Sequence, residues 1–146
     1  MIDTVTLRLK ESEFKILDHK RFSPNSEGLF VPPYSRMGGR AYLDCYQNPS
    51  KADFKRGNYK PQLTLRKRWI DGEPQIFLYI QFSAPKILYL NNFDELNNED
   101  FPTICCELQA KLLSMGVLTS SEKIAKAQVT KIHYSKNILL PPFVIP

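Results

Sequence analysis

Two stretches of alternating apolar residues flank an Asp-Gly pair. Gln62 to Trp69 carries Leu63 and Leu65 on one side and Thr64, Arg66 and Arg68 on the other, and Gln75 to Phe82 is rich in β-branched and aromatic residues. Between them lies Ile70-Asp71-Gly72-Glu73-Pro74. Asp-Gly suits a two-residue turn with positive φ at both central positions, so this pattern predicts a β-hairpin. Arg66 and Arg68 then share one face at two-residue spacing, about 7 Å apart.

Other segments fit an antiparallel sheet around that hairpin. Val5, Leu7 and Leu9 alternate with polar residues and predict an opening strand. Phe14, Ile16, Leu17 and Phe22 suggest a second short strand, Tyr42 to Tyr46 another, and Pro24 to Gly28 a turn. Val129 to Asn137 reads as a late strand with Lys131, His133 and Ser135 on one face. Phe101 to Met115 reads as a helix: Asp100 can cap its start, Pro102 suits the first turn, and Gly116 follows the last. Its Ile104, Leu108, Leu112 and Met115 recur at helical spacing and form one apolar stripe. Thr119 to Glu122 has capping-box spacing for a short helix through Ala127. The expected class is α+β, a mostly antiparallel sheet packed against one main helix plus a short helix.

A chain of 146 residues supports one core. We expect a single domain over residues 1–138, with a proline-bounded tail or the start of a linker over 139–146. Charged residues make up 24% and hydrophobic residues 42%, values that argue against wholesale disorder. Apolar runs are too short to span a bilayer, and the N-terminus has no secretory signal pattern. Cys45, Cys105 and Cys106 include no Cys-x-x-Cys spacing, so reduced thiols in a cytoplasmic setting are expected. Cys105 and Cys106 read as small packing residues rather than nucleophiles.

The net charge of +5 is unevenly spread. Lys51 to Arg68 is strongly basic, whereas Phe93 to Glu107 carries acids and no base. Separated charge of this kind steers polyanions to the basic side. The expected nucleic-acid contacts are Arg36, Arg40, Lys55, Arg56, Lys60, Arg66, Lys67 and Arg68. They are interleaved with Tyr34, Tyr46, Phe54 and Tyr59, which offer ring faces for base stacking. No phosphate-binding glycine loop, zinc knuckle or hydrolase elbow is present. His19, in a polar loop, is expected at the surface. His133 is the candidate metal ligand, through a neutral ring nitrogen.

Met1 to Val5, the strand ending Phe82-Ser83-Ala84-Pro85-Lys86-Ile87-Leu88, and Val129 to Asn137 together resemble the N-terminal part of phage and plasmid rolling-circle replication initiators. The filamentous-phage gene-two and gene-ten proteins and their plasmid kin are the relatives suggested. The resemblance implies origin DNA as partner, a tyrosine that attacks a phosphodiester, and a divalent metal such as Mg or Mn that polarises the phosphate. Lys131-Ile132-His133 would occupy the place of the family's Arg-Ile-Asp strand, with His133 replacing the acidic ligand. The family's tyrosine helix follows that strand, so this chain alone is expected to lack nicking activity. A further C-terminal domain or host replication proteins are then expected partners. Two other readings stand beside it: a small metal-dependent nuclease complete in itself, and a protein-interaction module of a phage or mobile element with the Phe93 to Glu107 side as its contact face.

Overall fold

A computed structural model describes residues 2–30, 42–49, 59–83 and 100–134. The strands are β1 (Ile2–Lys10), β2 (Lys15–Ile16), β3 (Tyr42–Gln47), β4 (Gln62–Ile70), β5 (Glu73–Ser83), β6 (Val117–Leu118) and β7 (Gln128–Tyr134). The helices are α1 (Glu27–Phe30), α2 (Asp100–Ser114) and α3 (Ser121–Ala125). Five strands form one sheet in the order β3-β4-β5-β1-β7, with every neighbouring pair antiparallel. β2 and β6 form a separate two-stranded ribbon. The fold is α+β.

The hairpin forms as its sequence dictates. Asp71 (φ 53°) and Gly72 (φ 82°) both take positive φ, and the ladder runs from Ile70↔Glu73 to Gln62↔Gln81. β1 joins the other side of β5, placing Leu7 opposite Ile80 and Leu9 opposite Leu78. One sheet face therefore presents Leu7, Leu9, Leu63, Leu65, Ile76, Leu78, Ile80 and Phe82, all buried.

Against that face lies α2. Its Ile104, Leu108 and Leu112, followed by Met115, are buried in the same cluster as the sheet residues. Each fully buried leucine contributes roughly 1.5–3 kcal/mol relative to exposure, so this stripe decides the layer. Gly116 ends the helix at φ 84°, and its carbonyl accepts from Leu17 N–H at 2.7 Å. The Arg21 guanidinium donates to the Ser114 carbonyl, satisfying one of the orphan acceptors of the last turn.

Several local expectations are corrected. Of the predicted second strand only Lys15–Ile16 forms, pairing with Val117–Leu118. The predicted turn at Pro24–Gly28 runs into α1. Ser120, rather than Thr119, caps α3, accepting from Lys123 N–H at 3.2 Å. The Thr119 hydroxyl instead donates to the Glu13 carbonyl at 2.8 Å, fastening α3 to the segment after β1. Cys105 is buried as expected but its neighbour Cys106 is exposed, because adjacent helical residues point about 100° apart. His19 is half-buried: its Nδ1 lies 2.6 Å from the Oγ of buried Ser26, and its ring meets Phe30 edge-on at 5.2 Å. Residues 84–99 and 135–146, including the expected tail and residues 93–99 of the acidic contact face, lie outside the described residues.

Candidate nucleic-acid interface

The sheet's second face is set by the same alternation. Positions one residue out of step with the core rows are Thr6, Arg8 and Lys10 on β1, Asp44 and Tyr46 on β3, Thr64, Arg66 and Arg68 on β4, and Phe77, Tyr79 and Gln81 on β5. β7 adds Gln128 opposite Arg8 and Lys131 opposite Thr6. Among the described residues this face holds five cations, Arg8, Lys10, Arg66, Arg68 and Lys131, against the acids Asp44 and, at the hairpin tip, Glu73. Glutamines, threonines and aromatic rings fill the remainder.

Two arginines lie over aromatic rings at the centre of the face. The Arg8 guanidinium carbon is 4.8 Å from the centroid of Phe77, and its Nη2 donates to Gln128 Oε1. The Arg66 guanidinium carbon is 5.3 Å from the centroid of Tyr79. Both distances fall within the range where a cation is attracted to the ring quadrupole. Arg66 is also held from the side by Asp44, with Nε to Oδ1 at 2.7 Å and Nη2 to Oδ2 at 2.8 Å. The Tyr46 hydroxyl donates to the same Oδ2 at 2.9 Å, and the Tyr46 side of this cluster faces outward, with the residue 46% exposed. Arg68 and Lys10 are exposed, and a shallow groove lined by Lys10, Glu11, Pro74, Gln75 and Phe77 opens beside them.

The structure brings together some of the residues expected from sequence and separates others. Arg66 and Arg68 share the outward face. Lys67, expected among the contacts, is only 3% exposed and lies on the opposite face, continuing the Leu63-Leu65 row toward Leu43 and Ile76. Alternation requires this: three consecutive strand residues cannot all face one surface. Burial pulls the Lys67 ammonium below the usual lysine range, and the nearby Glu11 carboxylate partly offsets that pull. Lys60 is half-buried and close enough to Lys111 for the two charges to oppose. Tyr59 is half-buried too, its hydroxyl accepting from Ser83 N–H at 2.6 Å and its carbonyl from Lys111 Nζ at 2.5 Å. Its ring packs against the core. Arg36, Arg40, Lys55 and Arg56 lie outside the described residues, as do Tyr34 and Phe54.

His133 pairs with Thr4 on β7, at a register position of the outward face. Three inter-strand steps separate β7 from β4, roughly 14 Å, so His133 does not adjoin Arg66 and Arg68. Among the described residues no group of three or more His, Cys, Asp and Glu gathers as a metal cluster. No described helix is long and apolar enough to cross a membrane.

Sequence reasoning overlooked Arg8, Asp44, Phe77 and Tyr79. The last two were within reach: a two-residue Asp-Gly turn sets Arg66 opposite Phe77 and Thr64 opposite Tyr79. No family model matches the chain, and neither the curated proteins nor the solved structures return a match.

Proposed function

We propose that this chain is the DNA-binding N-terminal domain of a rolling-circle replication initiation protein of a phage or plasmid, working in the cytoplasm. The observation that carries the DNA-binding part is the outward sheet face, where cations outnumber acids and sit among aromatic rings and amides, opposite the face that α2 covers. A net charge of +5 supports electrostatic steering toward a polyanion. The initiator assignment rests on the sequence resemblance of the opening strand, the Phe82 to Leu88 segment and the Val129 to Asn137 strand.

Within this reading exposed Lys10 and Arg68 contact phosphates. Affinity for labelled origin duplex should fall steeply with salt, by a log–log slope of about −0.9 for each phosphate neutralised. Lys10→Ala combined with Arg68→Ala should make that slope shallower by about 1.8 while leaving thermal unfolding unchanged. A flat salt response of the unaltered protein overturns the proposal. His133 is the residue this reading assigns to a Mg or Mn ion; loss of free-Mn²⁺ signal on adding protein, abolished by His133→Ala, tests it.

A second reading, the protein-interaction module, is favoured by Val129 and Ile132. Both are exposed on edge strand β7, 49% and 42%, although Ile132 is paired in register with half-buried Val5. Stable capture of a protein partner without retention on DNA selects it.

A further inference from the structure

We infer that the outward face takes single-stranded DNA by stacking its bases on Tyr46 and on the Arg66–Tyr79 pair, and that Asp44 converts Arg66 from a phosphate contact into a flat stacking group. The inference rests on the proposed DNA-binding reading and specifies which form of DNA the site takes and how.

A guanidinium that meets phosphate needs its fork of N–H donors aimed at the ligand. In Arg66 two of those donors, on Nε and Nη2, are already aimed at Asp44 in a bidentate pair. The carboxylate that takes them has a side chain only 6% exposed, so the pair is shielded from water on Asp44's side. Its charge is locally neutralised, and the group sits over the Tyr79 ring while Asp44 holds it from the side by two donors. The Arg66 side chain keeps 30% exposure, and the group so exposed is planar and anchored at two donors. Planar groups of this kind stack on nucleobases, and every base has such a face.

Tyr46 extends the same platform. Its hydroxyl is tied to Asp44, which limits ring rotation, and the residue is more exposed than Phe77 or Tyr79. Thr64, opposite both Tyr46 and Tyr79 in register, separates them by two strand steps, about 10 Å. That span suits successive unstacked bases. A duplex hides its base faces within the stack and presents only edges and phosphates, so it gains nothing from such a surface.

The test compares binding of the full chain to a fluorescent oligothymidylate of about 12 nucleotides with binding to a hairpin duplex of matched charge. The single strand should bind more tightly. Tyr46→Ala should weaken it about 5- to 150-fold, the equivalent of 1–3 kcal/mol for one stacked base. Arg66→Lys retains the charge but loses the plane, and should weaken single-strand binding with an unchanged salt slope. Asp44→Asn releases the Arg66 charge and should steepen the single-strand salt slope by about 0.7. Circular dichroism of each variant checks that it folds. If the duplex binds and the single strand does not, or if Arg66→Lys binds like the unaltered protein, this inference fails while DNA binding stands. If neither DNA form binds, the proposed function fails with it.

Discussion

Asp44 and Arg66 face each other across β3 and β4 and share two parallel hydrogen bonds, 2.7 and 2.8 Å long. The carboxylate is nearly buried, whereas the guanidinium retains 30% exposure and a second support in the Tyr79 ring. The two partners are therefore unequal. Removing the arginine strands a buried charge, whereas removing the aspartate leaves a cation with access to water.

This asymmetry predicts stability effects of different size. Arg66→Ala should cost about 2–3 kcal/mol, and Asp44→Ala about half as much. The double variant should be less destabilised than the sum, with a coupling of about 1–2 kcal/mol in urea unfolding. Equal and additive losses would show that the pair is not coupled.

Lys67 predicts a dependence on alkaline pH. Its folded-state pKa is lowered by burial, so near the ordinary lysine value the unfolded chain binds more protons than the folded one. Stability must then rise with pH as Lys67 loses its proton, up to about pH 10.4. Lys67→Met should remove that gain, so the variant's advantage over the parent shrinks as pH increases. Cys45 and Cys105 shift in the opposite sense, raised mainly by burial, with Asp44 adding to Cys45 and Cys106 to Cys105. Lys111 is lowered mainly by burial. All three are common to both proteins and cancel in the difference, measured by denaturant titration from neutral to alkaline pH.

Two glycines with the same backbone twist predict unequal penalties. Gly72 at φ 82° has open space where a Cβ would go, so Gly72→Ala should cost about 1 kcal/mol from conformation alone. Gly116 at φ 84° would place a Cβ 3.3 Å from both Arg21 Cδ and Asp18 Cβ. Gly116→Ala should exceed the hairpin variant by a further 1 kcal/mol or about that, since the contact joins α2 to the segment that follows β2. Thermal unfolding of both variants under one buffer gives the comparison, and equal losses would argue against close docking there.

The thiols should label in sequence of burial. Cys106 is exposed, while Cys45 and Cys105 are buried with their thiols pushed up in pKa. A thiol reagent should modify one site rapidly in the native protein and three after denaturation. Mass spectrometry after brief exposure identifies the site; early modification of Cys45 would contradict the packing of β3 on the core.

The hairpin, the opening strand and the apolar stripe of α2 were legible in the residues themselves. Asp71-Gly72 chooses a turn, alternation chooses a face, and three- to four-residue spacing chooses a helix, all through interactions a few residues apart. The same local logic placed Arg66 and Arg68 together, and followed one residue further it also excludes Lys67 from their surface. What local rules could not supply was the neighbour across the sheet. Asp44 reaches Arg66 over 22 positions, Gln128 reaches Arg8 over 120, and Arg21 reaches the end of α2 over 93. Those pairings depend on strand order and on which edge β1 and β7 occupy, quantities set by burying one shared core rather than by any single segment. Tertiary structure alone therefore decided that an arginine read as a phosphate contact is tied by two hydrogen bonds to a carboxylate, because only packing brings that carboxylate beside it.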